Sequence, residues 1–255
     1  MTQRIRRSLA YVLATLCVLL PAHAADKGGT IEPQADSVLK AMSDYLKNAK
    51  QFTFRSQVTY DQVRKSGQKI TYGRIASVAI RRPNRLHAET AGDLQMDRIW
   101  YDGERFTMLD LRQNVYSTVE VPSTIDKALD FMVEKYGVVS PIADVVQSNP
   151  YPILVSNVNR GEYLGLHSVR GTRCHHLAFT QDTIDWQIWV EDSGTPAPRK
   201  IVITYKNVKS APQFTAYLEQ WDFSPNLSKN LFTFTPPAGA LKTDMAPLME
   251  APKGK

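Results

Sequence analysis

Apolar residues recur every three or four positions in residues 33–49, which is the spacing of an amphipathic helix. Pro33 stands at the start, where a helix tolerates proline because the first N–H groups have no partner within the helix. The pattern predicts a helix over residues 33–49. Its apolar stripe consists of Ala35, Val38, Leu39, Met42, Tyr45, Leu46 and Ala49.

Alternation of apolar and polar residues begins directly after this helix. In QFTFRSQVTY, residues 51–60, one face carries Phe52, Phe54, Val58 and Tyr60, which is typical of a half-buried strand. The pattern continues through KITYGRIASVAIRRP, RLHAET, DRIWYDGERFTMLD and LDLRQNVYSTVEV. The pair Asp102-Gly103 and the stretch 112–114 indicate tight turns. Strands this closely spaced predict an antiparallel meander.

Helical spacing returns in the middle of the chain. In STIDKALDFMVEKYG, the apolar residues Ile125, Leu129, Met132 and Val133 fit one helical face. Ser123 or Thr124 is the expected N-cap and Gly137 the expected end. A second short helix is predicted for SPIADVVQ, which begins at Ser140.

Strand patterns resume at Tyr151. They cover YPILVSNV, EYLGLHSVRG, RCHHLAFTQ, DWQIWVED, PRKIVITYK, QFTAYLEQWDF and LFTFTPP. The order is therefore one helix, about five strands, two short helices and about six strands. It predicts a mainly β fold, in which a large antiparallel sheet closes or nearly closes and the helices bury their apolar stripes against it.

The two ends differ in composition from the rest of the chain. A basic start with Arg4, Arg6 and Arg7, a short apolar run and the stretch Ala22-His23-Ala24 predict a signal peptide, residues 1–24, cleaved after Ala24. The run is shorter than the roughly 20 residues that cross a membrane. Residues 242–255, rich in Pro, Ala and Lys, predict a flexible tail. Residues 25–241 then form one domain.

Charge adds little to this picture. The formal net charge is +6, and loss of the three arginines of the predicted signal peptide lowers it to +3. That charge predicts no nucleic-acid partner. Cys174 is the only cysteine after the predicted cleavage site, so it has no partner for an internal disulfide.

Cys174-His175-His176 is the main candidate for chemistry. In a strand, Cys174 and His176 share one face and His175 points to the other. These two residues, with His167 of the preceding strand, could supply metal ligands, but a structural zinc site usually needs a fourth. The alternative is an interior cysteine beside ordinary strand histidines, and it is favoured. The sequence lacks G-x-S-x-G, H-E-x-x-H and phosphate-loop motifs, and we expect neither catalytic residues nor a cofactor.

Several segments together resemble a known family: IWYDGERFTMLD, NVYSTVEVP, TIDKALDFM, CHHLAF, DWQIWVED, PAPRKIVITYK and FTFTPPAGA. They are similar to an uncharacterised family of periplasmic proteins that resembles the LolA/LolB-type lipoprotein carriers. The resemblance spans roughly residues 35–240. It implies a strongly curved, unclosed antiparallel β-barrel with helices across its open side. Relatives with that fold hold acyl chains between the sheet and the helices.

A hydrophobic ligand or lipoprotein acyl chain is therefore the expected partner, because ligand sites are concave and mostly apolar. The candidate lining is aromatic: Phe52, Phe54, Trp100, Phe106 and Trp186. The helix with Leu129, Phe131 and Met132 would form a lid. For each residue, an ordinary core position is the alternative. A periplasmic carrier is favoured over an envelope sensor that binds a protein through the same half-barrel. A metal enzyme at Cys174 and His176 comes third.

Overall fold

The computed structural model describes residues 30–246, so the predicted signal peptide and residues 247–255 of the predicted tail lie outside the described residues. The helices are α1 (Pro33–Asn48), α2 (Ile125–Tyr136) and α3 (Pro150–Val155). The strands are β1 (Thr30–Ile31), β2 (Gln51–Val63), β3 (Lys69–Arg81), β4 (Arg85–Gly92), β5 (Met96–Tyr101), β6 (Arg105–Asp110), β7 (Val115–Glu120), β8 (Arg160–Val169), β9 (Thr172–Thr180), β10 (Ile184–Glu191), β11 (Pro198–Tyr205), β12 (Gln213–Asp222) and β13 (Leu241–Lys242).

All strands belong to one sheet, with the order β1-β8-β9-β10-β11-β12-β2-β3-β4-β5-β6-β7-β13. Neighbours are antiparallel except at the two ends, where β1 pairs with β8 and β13 with β7 in parallel. Within residues 30–246, β1 and β13 do not pair with each other, so the curved sheet stays open. The prediction of a mainly β, unclosed half-barrel with helices against one face is confirmed.

The first two predicted helices are confirmed, and their ends follow from local chemistry. Pro33 opens α1, whose buried residues include Leu39, Met42 and Leu46. At α2 the Thr124 hydroxyl accepts a hydrogen bond from the Lys127 amide at 3.3 Å, which satisfies one free donor of the first turn. Gly137 ends α2 in the left-handed region at φ 65°, where a side chain would be strained.

The predicted hairpin at Asp102-Gly103 is also confirmed. Asp102 Oδ1 accepts hydrogen bonds from the amides of Arg105 at 2.8 Å and Glu104 at 3.1 Å. Gly103 has a φ of 94°, which only glycine adopts at little cost. The turn joins β5 and β6 in register from Tyr101 and Phe106 outward.

Three predicted elements are wrong. The segment from Tyr151, predicted as a strand, forms α3, because Pro150 occupies the first helical turn and Leu154 and Val155 pack on the core beside α1. The helix predicted from Ser140 is only a 3₁₀ turn, Ala143–Val145. LFTFTPP is not a strand: a 3₁₀ turn, Lys229–Phe232, precedes an extended segment.

The core lies between the helices and one face of the sheet, and we call this the inner face. It unites buried residues of α1 and α2 with residues from most strands. Residues of the predicted tail also take part, because Thr243 N–H donates to the Tyr116 carbonyl at 2.9 Å and Met245 packs on the core. Among residues 30–246, no helix combines the length and the apolar character that a bilayer crossing requires.

Candidate functional site

Side chains of the inner face form rows that run across β2 to β6, because directly paired residues of neighbouring strands share a face. The first row lies under the helices and is almost completely buried, with exposures of 0 to 7%. It consists of Phe52, Ile80, Leu86, Tyr101 and Phe106 in direct register.

A second row runs beside the first and is apolar but only half buried. It begins at Phe54 and continues through Val78, Ala88, Ile99 and Met108, each paired with the next. Phe54 is 3% exposed, whereas the other four are partly exposed and pack on the edge of the core. The inner face thus leads from a covered apolar zone to one that solvent reaches.

The third row is more polar. It runs from Ala76 through Thr90 and Asp97 to Asp110. Burial raises the pKa of Asp97, and the nearby Asp110 carboxylate adds to the rise, while Thr90 and Arg74 oppose it. The three rows form an apolar floor with a polar rim, which suits a ligand that has an apolar part and a polar end.

The beginning of α2 is fixed to the sheet by hydrogen bonds. The Tyr101 hydroxyl donates to the carbonyl of Pro122 at 2.7 Å, just before the helix. Burial raises the pKa of Tyr101 to about 12, so this hydroxyl stays protonated and donating. The Ile125 amide donates to the Pro83 carbonyl at 2.9 Å. These bonds position α2 over the first row.

A second set of bonds holds the segment that follows α2. Asp126 accepts hydrogen bonds from the Ser148 amide at 2.9 Å and from the Ser148 hydroxyl. Arg82 donates to the carbonyl of Gln147 at 2.7 Å. The stretch between α2 and Gln147 includes Val139, which is 67% exposed. The cover over the inner face is therefore fixed at its two ends.

The space under the helices is filled by the protein's own side chains. Leu39, Met42, Phe52, Ile80 and Met132 all have 0% exposure. Two cavities lie elsewhere among the described residues. One of about 430 Å³ is lined by Ser156, Asn157, Val158, Asn159, Gln181, Asp182 and Thr183. The other, about 310 Å³, is lined mainly by outer-face positions such as Thr53, Ser77 and His87.

Most predicted lining residues come together. The inner-face core contains Phe52, Phe54, Phe106, Trp186, Leu129, Phe131 and Met132, with Leu129 and Phe131 only partly buried. Trp186 stacks on Phe179 with ring centroids 4.1 Å apart. Trp100 lies on the opposite face, where its ring centroid is 5.0 Å from that of Phe234. The C-terminal segment covers it there, so Trp100 is separated from the other seven.

Cys174, His176 and His167 lie together on the outer face. The Nδ1 atoms of the two histidines are 3.0 Å apart, and His176 Nε2 is 3.0 Å from Gln187 Oε1. Burial lowers the pKa of His176, and burial raises that of the fully enclosed Cys174 thiol to about 11. Within residues 30–246, no group of three His, Cys, Asp or Glu side chains is placed to hold a metal ion.

The sequence analysis missed the half-buried row and the contribution of α1. Alternation in β3 to β6 already places Val78, Ala88, Ile99 and Met108 on the same face as the aromatic residues of the first row. Their partial exposure depends on tertiary packing, which no local pattern reports. Met42 appears in the apolar stripe of α1, but the pattern does not reveal what it contacts.

Solved structures with a similar chain path include two mycobacterial proteins, of which LppX is a lipoprotein. LppX from Mycobacterium tuberculosis is 13% identical with a TM-score of 0.49, and the match covers 77% of this chain and 100% of that one. LprF from Mycobacterium bovis is 13% identical, with 83% and 100% covered and a TM-score of 0.46. A LolA superfamily protein from Nitrosomonas europaea is 11% identical, with 78% and 97% covered and a TM-score of 0.40.

The comparison with curated protein sequences gave no match. A family model described as "Predicted periplasmic protein (DUF2092)" matches residues 35–246, which is most of the chain. The resemblance to a family of predicted periplasmic proteins is thereby confirmed, and this chain belongs to the DUF2092 family.

Proposed function

We propose that this protein is a periplasmic, non-catalytic binding or carrier protein for a hydrophobic ligand, such as a lipid or the acyl chain of a lipoprotein. Its first 24 residues direct export and are removed after Ala24. The ligand lies along the inner face, and α2 moves outward to admit it. Cys174 and the outer-face histidines take no part in binding.

The half-buried apolar row carries this proposal. Within the described chain, Val78, Ala88, Ile99 and Met108 pack on the edge of the core but stay half exposed, so part of this apolar row faces solvent. It continues the buried row beneath the helix, so outward movement of α2 would join both into one groove. Adaptable Met side chains, Met108 on the sheet and Met132 on α2, suit a surface that repacks around varied chains.

Native mass spectrometry of the protein purified gently from the periplasm, followed by organic extraction, tests the proposal. An excess mass that extracts as lipid is the expected result. A bare chain that takes up neither fatty acid nor lipopeptide when these are added would contradict it.

A matched pair of variants locates the binding surface. Ala88→Glu places a carboxylate in the middle of the half-buried row, where an acyl chain would have to desolvate it. Ala91→Glu introduces the same side chain on the exposed outer face of the same strand. We expect at least roughly tenfold weaker uptake for Ala88→Glu, since an unpaired buried charge costs more than the roughly 1.4 kcal/mol of a tenfold change. Ala91→Glu should bind like the parent, with both variants unfolding near the parent's temperature.

An interaction module is the second candidate, and one observation favours it. Within the described chain β1 pairs only with Arg160 and Gly161, and β8 then continues along the sheet edge with Leu164 43% and Leu166 40% exposed. Such an edge can accept a strand from a partner protein. Leu164→Lys with Leu166→Lys would block strand addition while leaving acyl-chain uptake intact, which separates the two functions.

A further inference from the structure

Two hairpin tips lie side by side at one end of the sheet. One is the turn between β2 and β3, residues 64–68, and the other joins β11 to β12, residues 206–212. The Ser210 hydroxyl donates to the Gly67 carbonyl at 2.8 Å. The Lys209 side chain lies against Gly67, since a Cβ added there would be 3.3 Å from Lys209 Cε. We call residues 64–68 and 206–212 the paired tips.

The paired tips carry uncompensated positive charge. Arg64, Lys65 and Lys209 are exposed, and in the part of the chain that the structure describes no carboxylate lies within 4.0 Å of their cationic groups. Their basic neighbours are neutralised, because Lys69 pairs with Asp61 at 3.5 Å and Lys206 with Asp185 at 2.8 Å. Among residues 30–246, these three cations therefore have no carboxylate partner, although Arg64 also donates to the Tyr72 hydroxyl at 3.4 Å.

Apolar and aromatic groups accompany these charges. Val208, directly before Lys209, is 47% exposed at its tip. On the inner face of the β2–β3 hairpin, Tyr60 and Tyr72 lie with ring centroids 6.1 Å apart, and both are partly exposed. Cations beside an exposed aliphatic group and amphipathic rings are the combination found where proteins meet the headgroup layer of a bilayer.

We propose that the paired tips dock this protein onto a membrane surface rich in anionic phospholipid headgroups. Arg64, Lys65 and Lys209 contact the headgroups, and Val208 enters the layer beneath them. A single aliphatic side chain and three charges give weak, reversible attachment, because stable anchoring needs a lipid chain or a larger apolar surface. This inference goes beyond the proposed function, and it holds whether or not a ligand occupies the inner face.

Charge sets the size of the expected effect. Each basic residue near an anionic leaflet strengthens binding roughly fivefold at physiological salt, so the three favour anionic over neutral vesicles by roughly a hundredfold. Raising the salt concentration should abolish most of that preference, since exposed charges are screened within roughly 10 Å.

Vesicle flotation with a chain that starts at Ala25 tests the docking. The first 24 residues are omitted because their arginines and apolar run would bind vesicles themselves. Binding is compared on vesicles of phosphatidylcholine alone and of phosphatidylcholine mixed with phosphatidylglycerol. The expected result is salt-sensitive binding to the mixed vesicles only. Equal binding to both, or binding to neither, overturns the inference.

A pair of double variants with the same change in charge assigns the contact. Lys65→Glu with Lys209→Glu reverses charge at the paired tips. Lys47→Glu with Lys229→Glu changes exposed lysines away from them, Lys47 at the end of α1 and Lys229 in the 3₁₀ turn near the far end of β3. The tip variant should lose the preference for anionic vesicles and the control should keep it. If both variants lost the preference equally, net charge would explain the binding, and a local docking site would be refuted.

The vesicle assay and the uptake assay fail independently. Loss of docking in a tip variant that still takes up fatty acid leaves the carrier proposal intact. Conversely, an Ala88→Glu variant that docks normally but no longer takes up fatty acid shows that docking does not require ligand uptake. If the parent chain takes up ligand but does not bind anionic vesicles, the proposed function stands and the docking inference is refuted.

Discussion

Met132 gives the sharpest test of how α2 is held on the inner face. It is the buried centre of the helix face, with 0% exposure. Met132→Ala removes Cγ, Sδ and Cε, at about 0.8 kcal/mol for each methylene-sized group transferred from the core. The cavity left behind adds to this, so we expect a total loss of about 3 kcal/mol in the free energy of unfolding.

The matched control is the next residue of the same helix. Val133 is 40% exposed, and Val133→Ala should change the free energy of unfolding by less than about 0.5 kcal/mol. Urea unfolding followed by circular dichroism measures both variants. A loss below about 1 kcal/mol for Met132→Ala, or equal losses for the two, would refute the packing of α2 described here, since a buried Met-to-Ala change typically costs 2–5 kcal/mol.

Three further predictions concern polar groups that are buried or half buried. Tyr101→Phe leaves the Pro122 carbonyl unpaired and should cost about 1 kcal/mol in urea unfolding; no loss would mean that this bond does not hold the start of α2. The raised pKa of Asp97 means that its contribution to stability is present in acid and is lost as pH rises from 3.8 through the folded pKa. Asp97→Asn should therefore match the parent in acid and be more stable near neutral pH, which melting temperatures across pH would reveal. Because burial raises the pKa of Cys174 to about 11, its thiol should react with dithionitrobenzoate at neutral pH only after unfolding, and rapid native reaction would contradict its burial.

The elements with strong local signals were predicted well. α1 and α2 have apolar stripes at helical spacing, Pro33 marks the start of α1 and Gly137 the end of α2. The Asp102-Gly103 turn needs only residues within the hairpin. α3 was predicted wrongly because YPILVSNV is a short apolar run whose spacing suits either element. Packing beside α1, together with proline at the first turn, decides in favour of the helix.

The sequence alone separates the two faces of each strand but does not show which face points toward the core. Alternation correctly separates Trp186, which packs on the inner face, from Trp189, which lies outside against His176. It also separates Trp100 from Tyr101, but it does not tell which of the two points inward. Phe234, distant in sequence, covers Trp100 from outside, so Trp100 and Tyr101 both lie in apolar surroundings on opposite faces of β5. Only the tertiary structure reveals that.

The two-residue strands at the margins of the open sheet have a consequence for how the molecule avoids self-association. An incomplete barrel has two free borders, and each offers backbone groups to a neighbouring copy. Here β1, from the N-terminal end of the described chain, covers part of the β8 border. β13, from its C-terminal end, covers part of the β7 border. Both pairings join residues far apart in sequence, so we expect β1 and β13 to join the sheet late in folding. Until then the borders stay open, and newly made chains at high concentration should aggregate through them before β1 and β13 pair.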